Sequence, residues 1–327
     1  MSINKTFVKK EDLIQKLRVC NSFEDFTSLC NIYIEERNIV HKSKTIELKK
    51  FRYLYGTTDI HYTEFLIPKK SGGERQILAP NKQLKFLQKL IAEILSLFYH
   101  PGEFCHGFIK GRSIVTNAEI HTNKNFVLNV DIQDFFPSIS YHVISKILKD
   151  EPFLFSDKSS KIIARIATKN GSLPQGSPLS PILSNICCAQ LDLDLNSLAI
   201  KYKLKYSRYA DDITFSGYRA IFDSIFFSDL NRQIRKHNRF RLNKTKTRIQ
   251  TKNKRQEVTG LVVNDKINVN RTYVRNLRSL IHHYKSGKAQ DNALAEIKGK
   301  LEFLKMVKGK EMVYKNLQSQ LNSTNYE

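Results

Sequence analysis

The sequence predicts an α+β fold: strand hairpins and strand-like runs at the centre, a helical cap before them and a small helical segment after them. Three observations lead there. Apolar and charged residues recur at helical spacing near both ends, short β-branched or apolar runs bounded by turn residues occupy the middle, and breaker-rich loops separate them. A chain of 327 residues holds two or three subdomains with cores of their own. The patterns divide it into a cap over 1–60, a central unit over 61–265 and a helical segment over 266–327.

In the cap, Leu13 and Leu17, then Phe23, Phe26, Leu29, Ile32 and Tyr33, repeat at helical intervals and predict two or three short helices. A hairpin follows: Phe65-Leu66-Ile67-Pro68, the turn Ser71-Gly72-Gly73, then Arg75-Gln76-Ile77-Leu78. Pro80 and Asn81 open a long helix whose apolar stripe is Leu84, Leu87, Ile91, Ile94 and Phe98, ending near Pro101-Gly102. Phe126 to Val130 reads as a buried strand that delivers Asp131 at its end. Leu173-Pro174-Gln175-Gly176-Ser177-Pro178 is a loop feeding a helix from about Pro181 to Lys201. The runs before and after Tyr209-Ala210-Asp211-Asp212 are strand-like and form a second hairpin. A helix near Phe222 to Asn238 comes next, then strand-like runs at Lys246 to Thr251 and Glu257 to Val263. Val274, Leu277, Ile281 and Tyr284 predict a helix ended by Gly287, and Leu294, Ile297, Leu301 and Leu304 predict another.

Apolar residues make up 41% and charged residues 26%, which is globular and not disordered. The 54 Lys and Arg outnumber the 31 Asp and Glu, a formal +23 that fits a polyanionic partner. The excess is local: eleven basic residues against one acid between Arg232 and Glu257, and twelve against five from Lys266 to Glu327. Five cysteines without a CxxC pair argue for free thiols in a reducing compartment and against a zinc site. No long apolar span and no apolar leader after Met1 are present, so the expectation is a cytoplasmic protein without a membrane partner.

Adjacent carboxylates at a hairpin tip suit divalent metal, although an Asp-Asp pair standing alone reads by default as a solvated turn. Asp131 ends a strand eighty residues before Asp211. If the two strands are neighbours in one sheet, three carboxylates converge on a pair of Mg²⁺ ions whose remaining positions suit substrate phosphates. Such a pair activates an attacking hydroxyl and stabilises the leaving oxygen of an in-line transfer. The expected reaction class is nucleotidyl transfer.

Asp131-x4-Phe136, Pro174-Gln175-Gly176-Ser177-Pro178, Tyr209-Ala210-Asp211-Asp212 and Leu242-Asn243-x-x-Lys246-Thr247, in that order over roughly 62 to 270, resemble the motifs of reverse transcriptases. The resemblance implies a right-hand polymerase fold, with fingers and palm over 61–265, a four-stranded antiparallel palm sheet, and a helical thumb over 266–327. It implies that Asp131, Asp211 and Asp212 are catalytic metal ligands, with the Ile132 carbonyl as a main-chain ligand, and that Lys246 protonates the pyrophosphate leaving group. Phe136 falls where the family places an aromatic that collides with a 2′-hydroxyl. Lys69 and Arg75 stand where fingers cations clamp the triphosphate, and Gln175 with Gly176 where a loop contacts nucleotide and template.

Two further stretches, Asn117-Ala118-Glu119-Ile120-His121 and Val258-Thr259-Gly260, resemble the NAxxH and VTG elements of retron reverse transcriptases. The retron resemblance implies a cognate structured noncoding RNA of the msr-msd type as template and primer, priming from the 2′-hydroxyl of an internal guanosine, deoxynucleotide triphosphates as substrates, and branched RNA-linked single-stranded DNA (msDNA) as product. It also implies an antiphage setting with an effector protein. Arg112, Asn117, His121, Val258, Thr259 and Gly260 are then expected RNA contacts. Arg271, Arg275 and Arg278 beside Tyr273 offer phosphate contacts and ring stacking on the first helix of the C-terminal segment. The alternatives are an abortive-infection reverse transcriptase making untemplated DNA and a scaffold that binds RNA and effector with polymerisation secondary.

Overall fold

Helix-capping polar residues and turn-forming glycines cut the chain into elements. In the computed structural model, which describes residues 10–36, 45–68, 72–238, 240–288, 292–309 and 311–323, these run in order as α1 (Lys10–Val19), α2 (Phe23–Glu36), α3 (Leu48–Gly56), β1 (Tyr62–Pro68), β2 (Glu74–Pro80), α4 (Lys82–Phe98), α5 (Ile114–Glu119), β3 (Phe126–Asp131), α6 (Tyr141–Lys149), α7 (Asp157–Ala167), α8 (Ser180–Lys201), β4 (Lys205–Tyr209), β5 (Asp212–Gly217), α9 (Ser224–Lys236), β6 (Arg248–Thr251), β7 (Glu257–Val258), β8 (Leu261–Val262), α10 (Arg271–Lys285), α11 (Ala293–Lys308) and α12 (Met312–Asn322). They cluster into two compact units that interleave in sequence. One comprises 1–102, 132–193 and 232–241, the other 103–131, 194–231 and 242–327.

The first unit is mainly helical. Asn81 caps α4 by accepting from the Leu84 amide at 3.0 Å, and the predicted stripe of Leu84, Leu87, Ile91, Ile94 and Phe98 is buried. Leu13, Leu17, Phe26, Leu29 and Phe51 from α1 to α3 are also buried. Two helices in this unit lay outside the sequence reading, α6 and α7. Their signals are plain in retrospect: Ser140 and Ser156 cap them by accepting from the Val143 and Ser159 amides, and Ile144, Leu148, Ile162, Ile163 and Ile166 line their inner faces. β1 and β2 pair antiparallel from Tyr62↔Pro80 to Pro68↔Glu74, as the hairpin pattern predicts.

The second unit carries a four-stranded antiparallel sheet in the order β4-β5-β3-β6. β3 is central because both its faces are covered, with Val127, Leu128 and Val130 all buried. The run from Glu257 to Val263 does not extend this sheet. Thr259 (φ 47) and Gly260 (φ 82) form a two-residue loop of the type I′ kind, which folds β7 back onto β8 as a separate hairpin. The C-terminal segment adds a third helix, α12, beyond the two that the spacing picks out. Leu277, Ile281, Ile297, Leu301, Leu304, Tyr314 and Leu317 form one cluster with Ala118, Val127, Val258, Leu261, Val263 and Val269.

Candidate active site

The sheet register brings the predicted carboxylates together. Asp131, the last residue of β3, lies directly opposite Asp212, the first of β5. Tyr209↔Asp212 closes the β4–β5 pairing, so Ala210 and Asp211 form the two-residue tip, with Ala210 in the left-handed region at φ 56. Directly opposite residues share a face, so the Asp131 and Asp212 side chains leave the same side of the sheet. Two like charges in that relation are unfavourable. Burial first, then the Asp211 and Asp131 charges, push the Asp212 carboxyl up to about 6 against the pull of Lys246 and Arg248. Asp212 keeps an open edge to solvent, where water screens part of this repulsion.

Lys246 supplies the nearest compensation. Its Nζ donates to Asp131 Oδ2 at 2.8 Å, with Asp131 only 8% exposed and Lys246 54% exposed at their side chains. Burial lowers the Lys246 pKa, but the hydrogen bond and charge of Asp131, then Asp211 and Asp212, outweigh it and the net direction is up. A short 3₁₀ turn over Lys244–Lys246 brings the ammonium there, and it is anchored by the Asn243 amide donating to the Asp131 carbonyl at 2.8 Å. Among the described residues no three His, Cys, Asp or Glu side chains are gathered as a ready-made metal-holding group. The expected convergence therefore holds at the level of strand register, not as a preassembled ligand sphere. Like charges do not close up without a cation. The carboxylates around Asp212 are hard oxygen donors that fit a divalent ion.

Residues that the sequence reading passed over buttress the hairpin tip. Phe104 to Gly107 runs beside β4: the Arg208 amide donates to the Phe104 carbonyl and the His106 amide to the Arg208 carbonyl, each at 2.8 Å. Gly107 then presses on the tip, since a Cβ there would stand 2.5 Å from Ala210 N and 3.1 Å from Tyr209 C. Arg208 is fully buried, donating from Nη1 to the Ala210 carbonyl at 3.1 Å and from Nη2 to Cys105 Sγ at 3.4 Å. The available sequence signal was an arginine alternating with Tyr206 on the apolar face of a strand.

The expected RNA contacts divide by burial. Asn117 is 1% exposed and His121 is 0% exposed, so neither is available to RNA, which corrects the expectation drawn from the NAxxH resemblance. Ser207 Oγ–H donates to Asn117 Oδ1 at 2.8 Å, so its lone pairs are left to accept from His121 Nε2–H at 2.8 Å. With Nε2 protonated, the neutral ring accepts at Nδ1 from Ser216 Oγ–H at 2.7 Å. Burial first, then the His106 and Lys124 charges, hold His121 down at about 3. His106 is likewise held at about 4 by burial and then Arg112, and its Nδ1 donates to Thr116 Oγ1 at 2.9 Å. Val258 is buried at 0% exposure, a second correction: it is core. Thr259 Oγ1 donates to the Ile114 carbonyl at 3.3 Å, while Gly260 is exposed on its turn. Arg112 is half-buried and donates to the Cys105 carbonyl.

Arg271, Arg275 and Arg278 are exposed on α10 at i, i+4 and i+7, a single face beside the one that buries Leu277 and Ile281. Tyr273 is engaged otherwise than expected. Its ring packs on Phe303 at 5.2 Å between centroids and its hydroxyl donates to the Lys300 carbonyl at 2.9 Å, so it braces α10 against α11.

The remaining predicted residues lie in the first unit. Gly176 (φ 118) allows its loop to meet β2, because a Cβ would stand 2.7 Å from Leu78 O and 3.0 Å from Ile77 Cγ2. The Leu78 amide donates to the Gln175 carbonyl at 2.7 Å, and Arg75 is exposed three residues along the same strand. The structure thus brings Gln175 and Gly176 against the strand that carries Arg75. Phe136 is half-buried beside Phe135 at 5.3 Å between centroids, and Ile132 is buried. Lys69 lies outside the described residues. All five cysteines are buried free thiols, and no helix among the described residues is long and apolar enough to cross a membrane.

Comparison with known proteins places these motifs. Residues 67–264 match the family described as reverse transcriptase (RNA-dependent DNA polymerase). The retron Mx162 reverse transcriptase of Myxococcus xanthus is 33% identical over 284 residues, covering 76% of this chain and 58% of that protein. The retron Ec86 reverse transcriptase of Escherichia coli is 30% identical over 288 residues, covering 86% of this chain and 88% of that protein. The chain spans about three fifths of the two Myxococcus xanthus relatives that it matches, 58% and 61%. A solved telomerase from Candida albicans aligns with a TM-score of 0.44 at 13% identity, covering 81% of this chain and 57% of its own, a likeness too weak to bear on function. The family match, the span of the Ec86 enzyme and the aspartates facing each other across β3 and β5 agree: this chain belongs to the reverse transcriptase (RNA-dependent DNA polymerase) family, among the retron reverse transcriptases.

Proposed function

We propose that this chain is an RNA-directed DNA polymerase that copies a cognate structured noncoding RNA. The observation that carries this reading is the pairing of Asp131 with Asp212 beside the Asp211 tip, with Lys246 on Asp131. In this reading the fold is a right-hand polymerase, with a helical cap over 1–60, fingers and palm over 61–265 and a thumb over 266–327. Asp131, Asp211, Asp212 and the Ile132 carbonyl would hold two Mg²⁺ ions. When bound, such ions would supply the positive charge that acidifies the attacking hydroxyl and stabilises the leaving oxygen.

The chain's own residues do the rest. Lys246, kept protonated by its acidic neighbours, donates a proton to the departing pyrophosphate. Arg75 and Lys69 bind the triphosphate of the incoming deoxynucleotide, Arg75 through a guanidinium fork matched to phosphate oxygens. Gln175 and Gly176 align nucleotide and template, and the Phe136 ring excludes a 2′-hydroxyl. Arg271, Arg275 and Arg278 form a phosphate-binding stripe for the RNA. On the resemblance of the NAxxH and VTG stretches to retron elements, we extend the proposal to priming from the 2′-hydroxyl of an internal guanosine, a branched RNA-linked single-stranded DNA product, an effector partner and a cytoplasmic role in antiphage defence.

The test is primer extension on annealed poly(rA)·oligo(dT) with Mg²⁺ and dTTP. Wild type should extend the primer, and Asp211→Ala combined with Asp212→Ala should bind the duplex normally yet extend nothing. Undiminished extension by that double variant would remove the metal assignment and the polymerase reading with it.

A further inference from the structure

The NAxxH stretch is left without an RNA role, and its contacts give it another. In β5 the side chains of Asp212, Thr214 and Ser216 alternate onto one face, and the register adds Asp131 and Asn129 of β3 and Ser207 of β4 to it. This is the face that bears the carboxylates. It is polar from the carboxylates as far as Asn129 and Thr214, with Val127 opposite Ser216 an apolar position at the far end: Asn129 Nδ2 donates to Thr214 Oγ1 at 3.2 Å, and Gln250 of β6 donates to Asn129 Oδ1. His121 lies on the same face, one nitrogen on Ser207 of β4 and the other on Ser216 of β5, and so straddles both strands of the aspartate hairpin. Asn117 fixes Ser207 from the preceding turn.

The helix that presents these groups is anchored behind. Ile114, Val115 and Ala118 of α5 pack into the cluster that contains Val258, Leu261, Leu277, Ile281 and Ile297. Thr116 takes the His106 ring, and the His106 amide is bonded to the Arg208 carbonyl of β4. α5 therefore has an apolar side set in the C-terminal core and a polar side set on the hairpin. Hydrogen bonds in one donor-to-acceptor sequence, Ser216 to His121 to Ser207 to Asn117, leave one arrangement of the hydroxyls and one ring tautomer. Arg208 and Gly107 hold the tip itself. Crossing its two strands at Ser207 and Ser216 adds a restraint on the angle between the strands behind it.

We infer that Asn117 and His121 are positioning residues that clamp the Asp211–Asp212 hairpin at the angle needed for nucleotide addition, and are not RNA contacts. The inference rests on the proposed polymerase function of the hairpin. Three variants test it on poly(rA)·oligo(dT) with dTTP, reading kcat, the KM for dTTP, the duplex Kd and Tm. His121→Phe keeps the ring volume and removes both hydrogen bonds. Ser216→Ala deletes one hydroxyl and carries the test if the first variant fails to fold. The double variant His121→Phe, Ser216→Ala also removes the one hydroxyl left without an acceptor, while Ser207 still donates to Asn117 Oδ1, which restores packing without restoring the clamp.

Both partial variants should lower kcat by about 10- to 100-fold, the range of an ångström-scale misplacement, with duplex Kd and KM for dTTP changed less than about 2-fold. The double variant should recover Tm but not kcat. Loss of duplex affinity in step with activity would return the motif to RNA recognition. A kcat that stays at the wild-type value, or returns with Tm in the double variant, would reduce it to ordinary packing. Asp211→Asn runs alongside: if it still extends primer, the polymerase reading of the hairpin has failed, whatever the clamp variants do.

Discussion

Replacing Gly107 with Ala should misplace the aspartate tip while leaving the chain folded. Gly107 has no left-handed backbone to protect, so the substitution acts through space alone. The added Cβ would meet Ala210 N at 2.5 Å, Tyr209 C at 3.1 Å and Ala210 Cα at 3.4 Å, all of them backbone atoms of the turn that holds Asp211. Ordinary contact requires a retreat of roughly 1 Å at the closest atom. The segment cannot withdraw freely, because the His106 and Arg208 amides tie Phe104–His106 to β4 on the near side at 2.8 Å. Overpacking of this kind costs about 1–3 kcal/mol, a Tm loss of a few degrees at this size. A displacement near 1 Å beside reacting atoms costs on the order of 100-fold in rate. Single-nucleotide addition on poly(rA)·oligo(dT) should show that fall in kcat with the duplex Kd unchanged. Gly299→Ala is the control, since a Cβ there meets nothing within 4 Å; it should be neutral or slightly stabilising. Wild-type kcat in Gly107→Ala would refute the contact between this segment and the tip.

Acid should destabilise the fold through His121. Its folded-state pKa of about 3 lies below the ordinary 6.5, so the unfolded chain binds the extra proton between those values and stability falls as pH drops below about 6.5, by about 2 kcal/mol at pH 5 from this residue. Urea unfolding from pH 7 to 5 should show the fall in wild type and a flatter profile in His121→Phe; parallel profiles would rule His121 out as its source. Phe136→Ala should raise ribonucleotide over deoxynucleotide incorporation by about 10-fold or more, read by competing UTP against dTTP; an unchanged ratio would end the sugar-gate assignment.

The sequence was legible where one residue type has one use. An apolar strand ending in Asp, a two-residue turn before another Asp and a Gly in a loop against a strand each state their geometry, and Asp131, Asp212 and Gly176 are found in those settings. The Lys246 contact was harder to foresee, since it depends on a 3₁₀ turn whose residues also suit a strand start. Arg208 and Gly107 were missed because their work is done across the sheet edge, in contacts that no local period encodes. α6, α7 and α12 were missed although their caps or apolar repeats are present, because shorter helices give fewer repeats to count.

Asn117, His121 and Val258 were misread for a physical reason. A polar pair one helical turn apart looks the same in sequence whether it faces water or spans two strands, and only the serines it meets, ninety and ninety-five residues away, decide the matter. Once buried, the NAxxH and VTG stretches become a single construction. Thr259 bonds to the first residue of α5, Val258 and Ala118 share a core, and the positive φ values of Thr259 and Gly260 fold β8 into that core. A change in either stretch must therefore disturb the packing of α5 and, through His121, the strands that carry Asp211 and Asp212. Their occurrence together in one chain follows from that shared core and needs no shared RNA ligand.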